Sequence, residues 1–190
     1  KLQEELQKLQ DEKTLNFNAG TPIDVYKAYI QEPQENLTFE SCLNELALGK
    51  LAKLSELGAL CIADTSGSMS GGYGGRNSTE TTAPIEVCIA MTAFFAKNAP
   101  TAWKNRFIQF SGTPYMVNLE KELKKSDPSF YDYIHYMKNH VVNDSNTNFE
   151  GVLELLKELF RNVDPKDLPS YLVFFSDMQF DSAIRLDNKS

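Results

Sequence analysis

The chain has 190 residues, 42% hydrophobic and 24% charged, enough for one globular domain with a real core and room for an appendage. Its 26 acidic and 19 basic residues leave a net charge of −7, so direct nucleic-acid binding through a broad basic face is not expected. No stretch approaches the ~20 apolar residues of a membrane span, and no signal peptide is visible.

The chain begins at Lys1 and not at Met, as expected of a processed or partial chain. Residues 1–13, KLQEELQKLQDEK, put Leu2, Leu6 and Leu9 on one helical face. They read as a surface helix packed on its own domain, with a partner helix or the start of a coiled coil as the alternative. Gly20 and Pro22 break that helix. PIDVYKAYIQ predicts a second helix with Asp24 in its first turn. TFESCLNELALGKLAKLSEL predicts a third, capped by Thr38 or Ser41 and interrupted at Gly49. Residues 1–57 are therefore expected to form a helical N-terminal extension ahead of a main domain at 58–190.

From Gly58 the pattern changes. GALCIAD is a continuous apolar run, as expected of a central parallel strand buried on both faces. Residues 66–83 form a long, polar, glycine-rich loop, and GGYGGR within it lacks the Lys-Ser/Thr of a phosphate-binding loop. PIEVCIAMTAFFAKN, with Pro84 at the first helical position, predicts a helix. NRFIQFS and PYMVNL predict two strands joined through Gly112-Thr113-Pro114 as an antiparallel hairpin. Residues 120–140 read as helical with a break at Asp127-Pro128, and the aromatic run FYDYIHYMKNH as a face packed on the sheet. FEGVLELLKELFRN predicts a helix, apolar at 149, 152, 153, 156, 159 and 160. YLVFFSD predicts a fourth strand, again apolar on both faces. Strands alternating with helices give an α/β class with a mainly parallel sheet and flanking helices.

Three cysteines, Cys42, Cys61 and Cys88, contain no CxxC pair and read as buried thiols of a reducing, intracellular compartment. The two histidines, His135 and His140, lie on or near one helix without the further ligands that a zinc site needs.

The chemistry is concentrated in ADTSGSMSGG, residues 63–72, where the first strand runs into Asp64, Ser66 and Ser68. Taken alone, these residues suit a capped turn. In open α/β sheets, however, ligands bind outside the carboxyl ends of the strands. Two further oxygen donors fall at that rim: Thr147 in SNTNFEGV, just before a helix, and Asp177 after LVFFS. An oxygen-only set with two carboxylates suits a hard divalent cation, Mg²⁺, Mn²⁺ or Ca²⁺, with Mg²⁺ favoured by the hydroxyl-rich ligation. Asp181 is a possible extra ligand, but reads better as a helix cap.

DTSGSM, with Thr147 and Asp177 on later elements, resembles the signature of the von Willebrand factor type A (vWA) domain. In that family the motif forms the metal-ion-dependent adhesion site (MIDAS). The resemblance spans roughly residues 58–182. It implies a Rossmann-like fold in which Ser66, Ser68 and Thr147 ligate the metal, and Asp64 and Asp177 act directly or through water. CIADTSGSM, PIEVCIAM, NTNF and FFSDMQFD look closer to the intracellular branch of that family. That branch includes Ro-type RNA-binding proteins and an uncharacterised eukaryotic and giant-virus family known as a domain of unknown function. The vWA sheet normally continues for two more strands, so the C-terminal strands are expected to be missing from this chain.

The expected function is a non-enzymatic, metal-dependent protein-binding module in the assembly of a larger multi-protein or ribonucleoprotein complex. The metal would accept an acidic side chain from a protein partner, with no direct nucleic-acid binding and no membrane. The alternatives are a scaffold or virion component whose metal site is unused, and a Mg²⁺-dependent phosphoryl-transfer enzyme built on Asp64. The second carboxylate expected two residues after an aspartyl nucleophile is replaced by Ser66.

Overall fold

The computed structural model describes residues 20–70, 82–100, 102–140 and 147–177. The helix read at 1–13, most of the glycine-rich loop and Asp181 lie outside the described residues. Three helices open the described chain: α1 (Pro22–Gln31), α2 (Leu37–Leu48) and α3 (Ala52–Ser55). Then follow β1 (Ala59–Asp64), α4 (Pro84–Asn98), β2 (Arg106–Phe110), β3 (Tyr115–Asn118), α5 (Leu119–Leu123), α6 (Phe130–Asn139), α7 (Phe149–Phe160) and β4 (Tyr171–Phe175). The fold is mixed α/β, and among the described residues no helix is long and apolar enough to cross a membrane.

The sheet runs β3-β2-β1-β4. β1 pairs in parallel with β2 and with β4, and β2 pairs antiparallel with β3 through the expected hairpin. Alternation along β1 divides the core. Cys61 and Ala63 point into the larger cluster, with Ile89, Ala93 and Phe94 of α4 and Tyr133 and Met137 of α6. Leu60 and Ile62 point to the opposite face, against Val152 and Leu156 of α7.

The local signals act as their chemistry dictates. Asp24 Oδ2 accepts from the backbone N–H groups of Gly20 and Thr21 at 2.9 and 2.8 Å, closing the first turn of α1. Pro84 opens α4, where Ala83 N–H donates to Glu86 Oε2 at 2.9 Å. Gly58 takes φ +65° where the chain turns into β1, a conformation that costs a residue bearing Cβ.

Two sequence readings change. The cap of α2 is Asn36, whose side chain accepts from Thr38 N–H at 2.9 Å, so Thr38 and Ser41 lie inside the helix. Leu153 is 50% exposed, because the stripe of α7 that meets the sheet runs through Val152 and Leu156. Among the described residues β4 has β1 as its one neighbour in the sheet, as the expected lack of further strands implies, and Tyr171 and Leu172 are 55% and 40% exposed. In the described part of the N-terminal region, Val25, Tyr26, Tyr29, Phe39 and Leu43 share the larger core. Glu40 of α2 locks that contact, accepting from Phe130 N–H at the start of α6 (2.6 Å) and from Tyr29 Oη–H (2.9 Å).

Candidate metal centre

Asp64 is the last residue of β1 and fully buried. One carboxylate oxygen accepts from Ser66 N–H at 2.9 Å, so the chain curls back on the aspartate immediately after the strand. The other accepts from Ser176 Oγ–H at 2.6 Å. That second bond follows from register. Ala63 pairs with Phe175, so the next residues along the two parallel strands, Asp64 and Ser176, meet on one face. Among the described residues no Lys, Arg or His forms an ion pair with Asp64.

The turn after Asp64 is a single 3₁₀ turn, Gly67–Ser70. It brings the Ser66 and Ser68 hydroxyl oxygens to 3.1 Å from each other. Two adjacent ligands of an octahedral Mg²⁺, each at about 2.1 Å, stand about 3 Å apart. The serine pair therefore has the separation of one edge of such an octahedron. Met69 of the same turn is buried and its sulfur accepts from Asp177 N–H at 3.2 Å. The end of β4 thus touches the turn after β1, and Asp177 sits at the same rim as Asp64.

Thr147 is buried and precedes α7. Its position is set by Asn148, the cap of α7, which makes three ties. Asn148 N–H donates to Ser111 O at 2.8 Å, its Nδ2 to Gly112 O at 3.2 Å, and its Oδ1 accepts from Gly151 N–H at 2.8 Å. Ser111 follows β2 directly, so the threonine segment is pinned to the carboxyl end of the strand beside β1. A Cβ at Gly151 would stand 2.7 Å from Asn148 Nδ2 and 3.1 Å from Pro114 Cγ, so a larger residue would push on the cap beside Thr147.

All five residues singled out in the sequence, Asp64, Ser66, Ser68, Thr147 and Asp177, therefore lie on segments at one rim of the sheet. Sequence reasoning missed Ser176 and Asn148 as supports. Asn148 carried a legible signal as a capping residue before FEGV. Ser176 did not, because its role depends on strand register. Among the described residues no group of three or more His, Cys, Asp or Glu side chains is arranged to hold a metal. The rim arrangement differs in kind, because hydroxyls make up most of it. Burial pushes the Cys88 thiol up to about 12 and raises Cys61 as well, so both stay protonated and offer no thiolate to the rim.

Residues 58–190 match the model of a family described as a domain of unknown function, DUF7788. The matched span starts at Gly58, immediately before β1. No curated protein and no solved structure matches the chain.

Proposed function

The chain belongs to the DUF7788 family, and we propose that it is a non-enzymatic, divalent-metal-dependent protein-binding module of Rossmann-like vWA type, serving the assembly of a larger complex. The observation that carries this reading is Asp64, a buried carboxylate with two hydrogen bonds and no ion pair among the described residues. Carboxylates withdrawn from water are normally paired with a cationic group or bound to a metal.

The donor set fits a hard cation. Ser66, Ser68 and Thr147 would supply neutral oxygens, and Asp64 and Asp177 the negative charge, directly or through water. Mg²⁺ is favoured over Ca²⁺, which takes more oxygens at longer distances. The metal supplies a local positive charge on a chain whose net charge of −7 would otherwise repel an acidic partner. Ser176 and the Ser66 N–H orient the Asp64 carboxylate. The Asn148 ties hold Thr147 against the end of β2.

The reading is tested by affinity capture from the native source with Mg²⁺, with chelator, and with Asp64→Ala in Mg²⁺. A protein partner retained only by the wild type in Mg²⁺ supports a metal-bridged contact. A partner retained equally in all three contradicts it and favours a scaffold that does not use the site. The half-exposed edge strand β4 is the observation on the side of that second reading.

A further inference from the structure

We infer that Met69 is a positioning residue whose sulfur holds Asp177 beside the turn that carries Ser66 and Ser68. Its consequence for metal affinity rests on the proposed metal reading; the tether itself does not.

Met69 lies in the 3₁₀ turn Gly67–Ser70, next to Ser68, and is 2% exposed. Its backbone is fixed from within the turn, Met69 N–H donating to Ser66 O at 3.2 Å. Its side chain reaches the end of β4, where Asp177 N–H donates to Sδ at 3.2 Å. Burial alone does not select sulfur here, because leucine fills a space of this size at little cost. A thioether differs from a hydrocarbon in being polarisable and in accepting a hydrogen bond, if weakly. With a hydrocarbon at position 69, the Asp177 N–H would lose this acceptor in a part-buried place.

The tether completes a series of three, made by three consecutive residues. Phe175 O faces the buried Cys88 thiol of α4 at 3.7 Å, and the same sulfur lies 3.5 Å from Asp64 O, so one group touches the ends of both strands. This is the weakest of the three, since a thiol has a single, poorly donating hydrogen to share. Ser176 Oγ–H donates to Asp64 Oδ2 at 2.6 Å. Those two contacts hold β4 to Asp64 itself. The third, from Asp177 N–H to Met69, reaches past Asp64 to the turn with the two serines. With it in place, Asp177 and the serine hydroxyls are set relative to one another before any ligand arrives, which lowers the cost of binding.

The test compares wild type with Met69→Leu, close in volume but without the acceptor. Ile89→Val, which thins the same core cluster without removing a polar atom, is the packing control. Thermal unfolding and residue-resolved hydrogen exchange are measured in chelator. Mn²⁺ affinity is measured by titration, for Met69→Leu both alone and combined with Asp177→Ala. Met69→Leu should unfold close to the wild-type temperature. Exchange at the Asp177 amide should quicken by about fivefold while the amides of β1 keep their wild-type rates, and Mn²⁺ should bind about fivefold more weakly, the scale of one hydrogen bond. Because Met69 acts through Asp177, its replacement should add no further loss of affinity once the Asp177 carboxylate is gone. Ile89→Val should lower the unfolding temperature and leave the Asp177 amide unchanged. Wild-type exchange at Asp177 in Met69→Leu overturns the inference. So does an equal loss of Mn²⁺ affinity with and without the Asp177 carboxylate, which is the mark of packing alone. A wild type that takes no Mn²⁺ overturns the metal reading, and the exchange result still decides the tether.

Discussion

β1 and β4 lie side by side, run in the same direction and end at the same rim, yet they occupy different environments. Every residue of β1 from Ala59 to Asp64 is buried, with a strand on each side. Among the described residues β4 has β1 on one side only, and its first two residues are exposed. The rim is thus built from a rigid half, carrying Asp64, Ser66 and Ser68, and a softer half, carrying Ser176 and Asp177. Local stability follows buried contacts and paired backbone. The softer half is held to the rigid one by the strand pairing, by Ser176 on Asp64 and by Asp177 N–H on the Met69 sulfur.

The largest effect that would separate the two strands is Ile62→Ala. Ile62 is fully buried against α7, and its truncation should cost about 3–4 kcal/mol in urea unfolding. Ser176→Ala comes next. It removes the donor to a buried carboxylate, should cost about 2 kcal/mol, and should loosen β4 in hydrogen exchange more than β1. Equal loosening of both strands would break the division into rigid and soft halves.

A smaller effect serves as a reference away from the rim, at the start of α6. Burial raises the Asp132 carboxyl pKa, but hydrogen bonds from Lys125 and Ser129 outweigh burial and hold it below the usual aspartate range. A depressed folded pKa contributes stability above the unfolded pKa of about 3.8 and loses it as pH falls through the folded value. Asp132→Asn should therefore be less stable than wild type at pH 7, and the gap should close under strong acid. The smallest effect is Leu172→Ala, at an exposed position of β4, expected to cost under about 1 kcal/mol. A loss as large as that of Ile62→Ala would mean that the edge is covered in solution.

How much of this could be read in the chain depends on what kind of signal carried it. β1, α4, the hairpin and α7 were legible because apolar spacing and Pro84 act locally. Apolar spacing did not distinguish the centre of the sheet from its edge; only the resemblance, through the missing C-terminal strands, implied an uncovered fourth strand. ALCIAD and YLVFF are equally apolar, and nothing in an apolar run states how many strands will lie beside it. Thr38 and Ser41 are good capping residues placed two and five positions too late, while the Asn36 side chain reaches forward to accept from Thr38 N–H. At the site, Asp64, Ser66 and Ser68 announced themselves by spacing, and Thr147 and Asp177 by their places before a helix and after a strand. Ser176 was silent, because it acts on a residue far away in sequence that only strand register brings near.

The most direct measurement of the central claim is calorimetric titration of chelator-treated protein with Mg²⁺, wild type against Asp64→Ala, with circular dichroism confirming that both are folded. The account predicts one ion per wild-type chain and none in the variant. A folded wild type that takes up no Mg²⁺ at millimolar concentration would contradict it, as would an Asp64→Ala variant that binds as tightly as the wild type.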